Sequence, residues 1–228
     1  LVIAGLVSGV LLVLDQVTAA VAVAGVLVGA SVLMSPLVGI CLLGLTLPLS
    51  GLLQLIPNIF TAAKGLAILT IISFLPRVLN RRASEFFRSK SLRWMLGIAV
   101  YMLLLIPVSE FPTSGAYDWF LHLQMCALCF LAATIPRTFG ELRKVCFWTA
   151  FGSGVLGVYV VFYGVDSLAA NTDRLNAGTN ENELAFALVV GLILSAVAWV
   201  DAKPWARAVI VAVDLLTVAT VVLTGSRA

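Results

Sequence analysis

Residues 184–223 read LAFALVVGLILSAVAWVDAKPWARAVIVAVDLLTVATVVL, two apolar runs joined by a short polar turn. A helix needs roughly 20 residues to cross about 30 Å of hydrocarbon, and each run is close to that length. Inside a bilayer every backbone N–H and C=O must find a partner within its own segment, so such runs are helices. The turn between them carries Asp201, Lys203, Pro204 and Arg207, and proline is tolerated where a helix starts but not where it continues. Working outward, the same pattern repeats over 1–14, 18–34, 36–50, 61–79, 92–109, 119–136 and 144–163, with the last two spans at 183–200 and 206–224. The first three segments can also be read as two. The ten-residue alternation of an outer-membrane barrel is absent.

Composition agrees with this pattern. Of 228 residues, 61% are hydrophobic and 11% charged, with a mean hydropathy of +1.10. Soluble domains are roughly 45–50% apolar and about 25% charged, so a soluble globular chain is excluded. The expected fold class is an all-α, polytopic membrane helix bundle of about eight to nine transmembrane helices. No internal repeat, low-complexity tract or soluble segment interrupts it, and residues 1–228 parse as a single transmembrane domain. Pro36, Pro48, Pro57, Pro107, Pro112, Pro136 and Pro204 fall at or near the expected helix ends.

Lysine and arginine give the orientation, because cytoplasmic loops retain positive charge. Arg77, Arg81, Arg82, Arg88, Lys90 and Arg93, then Arg137, Arg143 and Lys144, then Lys203 and Arg207, make eleven of the 14 basic residues, all in one set of alternating connections. The other set holds Lys64, Arg174 and Arg227, together with Glu110, Asp118, Asp166, Asp173, Glu181 and Glu183. The amino terminus is therefore expected inside and the loop 164–182 outside. The net charge of +3 adds nothing beyond this bias, and no feature points to nucleic acid.

An outward arginine works against the positive-inside bias and needs a reason to be there. Arg174 lies in GVDSLAANTDRLNAGTNEN (164–182), and Arg227 lies where the last span exits. A guanidinium is always charged and grips phosphate through paired hydrogen bonds, which suits a lipid-linked phosphate or pyrophosphate. The alternative is an arginine paired with Asp173 or snorkelling to headgroups. Asn180, Asn182 and Glu183 precede the apolar run; they either cap its helix or contact sugar and phosphate at its amide-rich end. Thr224 and Ser226 either bridge helices or touch the phosphate.

DRLNAGTNENELAFALVVGLILSA (173–196), followed one helix later by LLTVATVVLTGSRA (215–228), resembles the O-antigen ligase and polymerase superfamily. In that family an Arg-Leu, Gly and Asn-x-Asn stretch opens a helix, and the next helix ends in Thr-Gly-Ser-Arg. The resemblance covers mainly residues 173–228. It implies a GT-C-like membrane glycosyltransferase using an undecaprenyl-pyrophosphate-linked glycan donor on the outer, periplasmic face of the bacterial inner membrane. Acceptors would be a hydroxyl of a glycan, of lipid A-core or of a protein. By position Arg174 and Arg227 match the family's catalytic arginines, with Asn180, Asn182 and Ser226 as substrate contacts. The implied mechanism stabilises charge on the pyrophosphate leaving group and requires no metal or other cofactor. The family's proposed catalytic histidine lies in an outer loop beyond the Ser-Arg motif, outside these residues. The chain starts at Leu1 rather than Met and stops at LTGSRA, so it is expected to be the amino-terminal part of a longer protein and inactive alone.

Other polar residues have plainer readings. His122, the single histidine, is expected at the interface beside Tyr117, Trp119 and Phe120. Cys126 and Cys129 form a CxxC inside an apolar span, without the context of a redox or zinc motif; with Cys41 and Cys146 they read as packed thiols. Gly152, Gly154 and Gly157 in FGSGVLGVY (151–159) mimic GxGxxG but lack a preceding strand, and read as a helix-contact face. Asp214, mid-span, is either functional or a neutral carboxyl bonded to a neighbouring helix. Two other function classes stay open: a solute transporter, which would call for inverted repeats with paired broken helices that the sequence does not display, and a non-catalytic membrane scaffold.

Overall fold

Ser35 and Pro36 break the first long apolar stretch where the sequence places the break. The computed structural model describes residues 17–49, 54–56, 60–78, 90–163 and 181–223. Helix α1 spans Val17–Met34 and α2 spans Pro36–Thr46. Proline excludes the helical region for the residue before it, and Ser35 is accordingly extended, with φ −143° and ψ 104°. Pro36 then starts α2, where its missing N–H costs nothing.

A short antiparallel ribbon follows, with β1 (Gln54–Ile56) paired to β2 (Phe60–Thr61), and is the one departure from an all-helical fold among the described residues. The chain continues through α3 (Ala62–Val78), α4 (Lys90–Leu105) with a 3-10 turn at Ile106–Val108, α5 (Pro112–Thr134), α6 (Phe139–Tyr163), α7 (Glu181–Trp199) and α8 (Pro204–Leu223). Each described helix coincides with an expected span, but α5 and α6 begin several residues earlier than 119 and 144. Hydropathy marks where a helix meets lipid, whereas capping marks where it begins. Pro112 opens α5 ahead of its polar first turns. Before α6, the Glu141 N–H donates to Thr138 Oγ1 at 3.2 Å and the Arg137 N–H donates to Glu141 Oε2 at 2.6 Å. This is a variant of the reciprocal Thr-x-x-Glu capping box.

Among the described residues, three helices are long and apolar enough to cross a membrane: Pro112–Thr134, Phe139–Phe162 and Pro204–Val222. The expected span 36–50 is a correction, because α2 ends at Thr46 and Pro48 sits in the turn that follows. Its 11 residues rise only about 16 Å, half a hydrocarbon core.

Helix α6 is the hub. Half of its apolar window is buried inside the protein, against 11% for α5, and α2, α7 and α8 all pack on it. Leu156, Val160 and Leu188 form one core layer, joined by Leu49 and Val221. Cys146, Ala198 and Ile210 form a second at the opposite end of α6, α7 and α8. Ile40, Leu43, Leu131 and Ile135 tie α2 to α5, with Leu66 and Val145 against them. The outward faces are apolar too: Trp94, Leu104, Phe162, Phe186, Leu215 and Val222 are all exposed. Large apolar faces of this kind fit a lipid surround rather than water.

The α4–α5 hairpin is held by hydrogen bonds across it. Trp119 Nε1–H donates to the Ala99 carbonyl at 2.9 Å, and His122 Nε2–H donates to the Met95 carbonyl at 3.1 Å. His122 is half-buried against α4, while Tyr117 and Phe120 are exposed. A polar cross-helix bond in lipid contributes about 0.6 kcal/mol and up to about 1.7. Trp119→Phe and His122→Phe are each expected to lower the thermal midpoint in detergent modestly; no shift in either variant would show that the bonds contribute nothing to the hairpin.

Candidate functional site

Helices α7 and α8 are joined through residues 200–203 and pack antiparallel, so the start of α7 and the end of α8 lie at one end of the bundle. The layer of Val160, Leu188 and Val221 sits toward that end. The turn at the other end is fixed by polar contacts. Arg143 Nη1 donates to the Val200 carbonyl at 2.7 Å, the Arg207 guanidinium lies 5.5 Å over the Trp199 ring, and Asp201 takes a positive φ of 52°. Aspartate tolerates that left-handed conformation better than most residues. Arg143, Lys203 and Arg207 thus gather at one end, as the charge pattern of alternating connections requires.

The sequence-predicted site residues Arg174, Asn180, Ser226 and Arg227 lie outside the described residues, as does Thr224. Asn182 falls in the first turn of α7, and its side chain is outside the described set. The two helices that bracket these residues are brought together, with α7 presenting its amide end beside the carbonyl end of α8.

Below those ends runs a seam of small and hydroxyl residues where α6, α7 and α8 meet. The glycine-rich stretch does act as a helix-contact face. A methyl group on Gly154 would stand 2.7 Å from Val213 Cγ1, and one on Gly157 would stand 3.0 Å from Thr220 Oγ1. Gly152 turns the other way, against the backbone carbonyl of Leu45 in α2, and Gly191 of α7 receives the Ser153 side chain. Close backbone approach through small residues is how helices gain packing in lipid, where no hydrophobic drive separates helix from solvent.

The buried hydroxyls pair with carbonyls. Ser153 Oγ lies 3.2 Å from the carbonyls of both Thr149 and Ala187, the latter on α7. Thr220 Oγ1 lies 2.8 Å from the Leu216 carbonyl and 3.3 Å from that of Gly157 on α6. Thr217 Oγ1 donates to the Val213 carbonyl at 2.8 Å. Asp214 joins this seam: its Oδ2 lies 2.9 Å from Ser195 Oγ on α7, while its Oδ1 is buried without a hydrogen-bond partner. Ser195 itself is 3% exposed and contacts the Leu192 carbonyl at 2.7 Å. Sequence reading singled out Asp214 but missed Ser195 and Ser153, because the partners sit on different helices and a lone serine in an apolar run has no signature.

Cys41, Cys126 and Cys146 are packed thiols; Cys129 departs from that expectation, being exposed, and all four are free. Among the described residues no group of three or more His, Cys, Asp or Glu side chains could hold a metal ion. No family model matches the chain, and no curated protein or solved structure is detectably similar to it.

Proposed function

We propose that the chain is the membrane core of a glycosyltransferase of the O-antigen ligase and polymerase kind, with eight to nine membrane crossings and a GT-C-like arrangement. It would take an undecaprenyl-pyrophosphate-linked glycan as donor and a hydroxyl of a glycan, lipid A-core or protein as acceptor, on the outer face of the inner membrane. The observation that carries this reading is the order and sidedness of two motifs: DRLNAGTNEN enters α7, TGSRA leaves α8, and those two helix ends share one end of the bundle. In this reading Arg174 and Arg227 bind the pyrophosphate and neutralise charge as the sugar–phosphate bond breaks. Asn180, Asn182 and Ser226 orient the donor, its prenyl tail lies in lipid, and the amide end of α7 adds a favourable dipole for an anion.

The test is complementation. The full-length protein is expressed in cells lacking their own ligase and polymerase and supplied with candidate glycan pathways, then compared with Arg174→Ala and Arg227→Ala at matched protein levels. Loss of surface glycan with accumulation of the lipid-linked donor in both variants is the expected result. Unchanged transfer overturns the assignment and favours the transporter or scaffold class.

A further inference from the structure

Two arginines meet at the turn between α7 and α8, and both are held there by neutral partners. Arg143 Nη1 donates to the Val200 carbonyl at 2.7 Å, and the Arg207 guanidinium lies 5.5 Å over the ring of Trp199, the residue before it. A carbonyl and a ring orient a guanidinium without cancelling its charge, and Arg143 spends one of its five N–H donors on Val200. Asp201 adjoins both contacts in sequence, yet among the described residues it pairs with neither arginine. Glu141 accepts from the backbone N–H of Arg137 as part of the α6 cap. Lys203 stands exposed in the same turn. Over residues 137–144 and 199–207, Arg137, Arg143, Lys144, Lys203 and Arg207 face two acids, so this end of the bundle is left positive.

One turn deeper along α6 the surface turns aromatic. Phe147 and Trp148 follow Arg143 and Lys144 at a spacing of four, which puts rings beneath cations on the same helix faces. Phe147 packs edge-on against Trp148 at 5.8 Å and against Trp205, from the first turn of α8, at 6.4 Å; Phe151 stacks on Phe147 at 6.4 Å. Trp148 and Trp205 are exposed. A free anion in water would use the cationic rim alone, whereas an amphiphile with an acidic head and an acyl chain uses the rim and the rings below it. We propose that this surface binds an acidic phospholipid, its phosphate held by Arg143, Lys203 and Arg207 and its acyl chain laid along Trp148 and Trp205. Basic groups gathered between helix ends at the headgroup level are suited to such a lipid, and indole rings favour that depth. A zwitterionic lipid brings its own cation to an already positive rim and gains less. The surface lies at the opposite end of α7 and α8 from the helix ends that carry the transferase motifs, and does not rest on that reading.

Native mass spectrometry of the full chain in detergent, titrated with phosphatidylglycerol or with phosphatidylcholine of the same acyl chains, reads lipid retention directly. The wild type is expected to retain phosphatidylglycerol in preference. A basic group at an anionic headgroup is worth about fivefold in binding, so Arg143→Gln/Arg207→Gln should lower that preference about tenfold or more. Lys90→Gln/Arg93→Gln removes the same charge from the start of α4 and should leave the preference in place. No preference in the wild type overturns the proposal, and so does an equal loss in both double variants, which would make the effect one of net charge rather than of this surface. Should the arginine variant fail to fold, Lys203→Gln takes its place, with an expected loss of about fivefold; an unchanged preference in that variant overturns the site as well.

Discussion

Gly152→Ala is expected to destabilise the bundle while Gly97→Ala stabilises it, although both replace a helical glycine with the best helix former. The propensity gain is the same at each position, about 0.5–1 kcal/mol. What differs is the neighbour. A methyl group on Gly97, in α4, meets nothing within 4 Å. One on Gly152 runs into the backbone carbonyl of Leu45, in α2, and backbone cannot rotate aside as a side chain does. Ordinary overpacking costs about 1–3 kcal/mol, and this contact belongs at the upper end because relief requires α2 to move off α6. Gly152→Val extends the same clash. Thermal unfolding in detergent should give opposite shifts for the two alanine variants; a gain in stability for Gly152→Ala would mean that α2 does not press on α6 as described.

On the transferase reading, Arg227→Ala is expected to lower glycan transfer by about 10²–10³-fold, the loss typical of removing one group aimed at charge developing in a transition state. Arg227→Lys separates charge from geometry. A lysine keeps the positive charge but loses the planar fork that holds two phosphate oxygens at once, so it should restore part of the rate and not all of it. Assay of transfer at saturating and limiting donor distinguishes a binding role from one confined to the transition state. Full activity in Arg227→Lys would reduce the residue to a point charge, and full activity in Arg227→Ala would remove it from the mechanism.

Helix positions were legible because lipid imposes one rule on every segment, and the described helices fall on the expected spans. Their starts were less so, since Pro112 opens one helix and Thr138 caps another in polar stretches that hydropathy passes over. The length of α2 was not legible either: LTLPLS continues the apolar run beyond Thr46, but the helix stops there. Of the candidate polar groups, Asp214 stood out because an acid in an apolar run is costly wherever it lies. Its partner did not, because pairing Ser195 with Asp214 depends on the register of the α7–α8 hairpin, which hydropathy leaves open. The bonds of Trp119 and His122 to α4 were hidden for a related reason. An aromatic cluster near a helix end looks like a headgroup anchor, but at the spacing of 119 and 122 two ring N–H groups share one face of α5 and reach α4.

The hydroxyl pairings bear on how the chain enters the bilayer. Thr149, Thr217 and Thr220 each bond a carbonyl one turn back in their own helix, so those side chains are satisfied as soon as that helix forms, with no neighbour present. Those hydroxyls place no demand on the order of insertion. Asp214, on the same helix as Thr217 and Thr220, does, because the hydrogen bond it makes is to α7. Inserting α8 alone would expose that carboxyl to lipid at a cost of about 2.5–3.5 kcal/mol. Helices α7 and α8 are therefore best inserted together, as a pair already joined by their short turn, before the pair finds its place against α6.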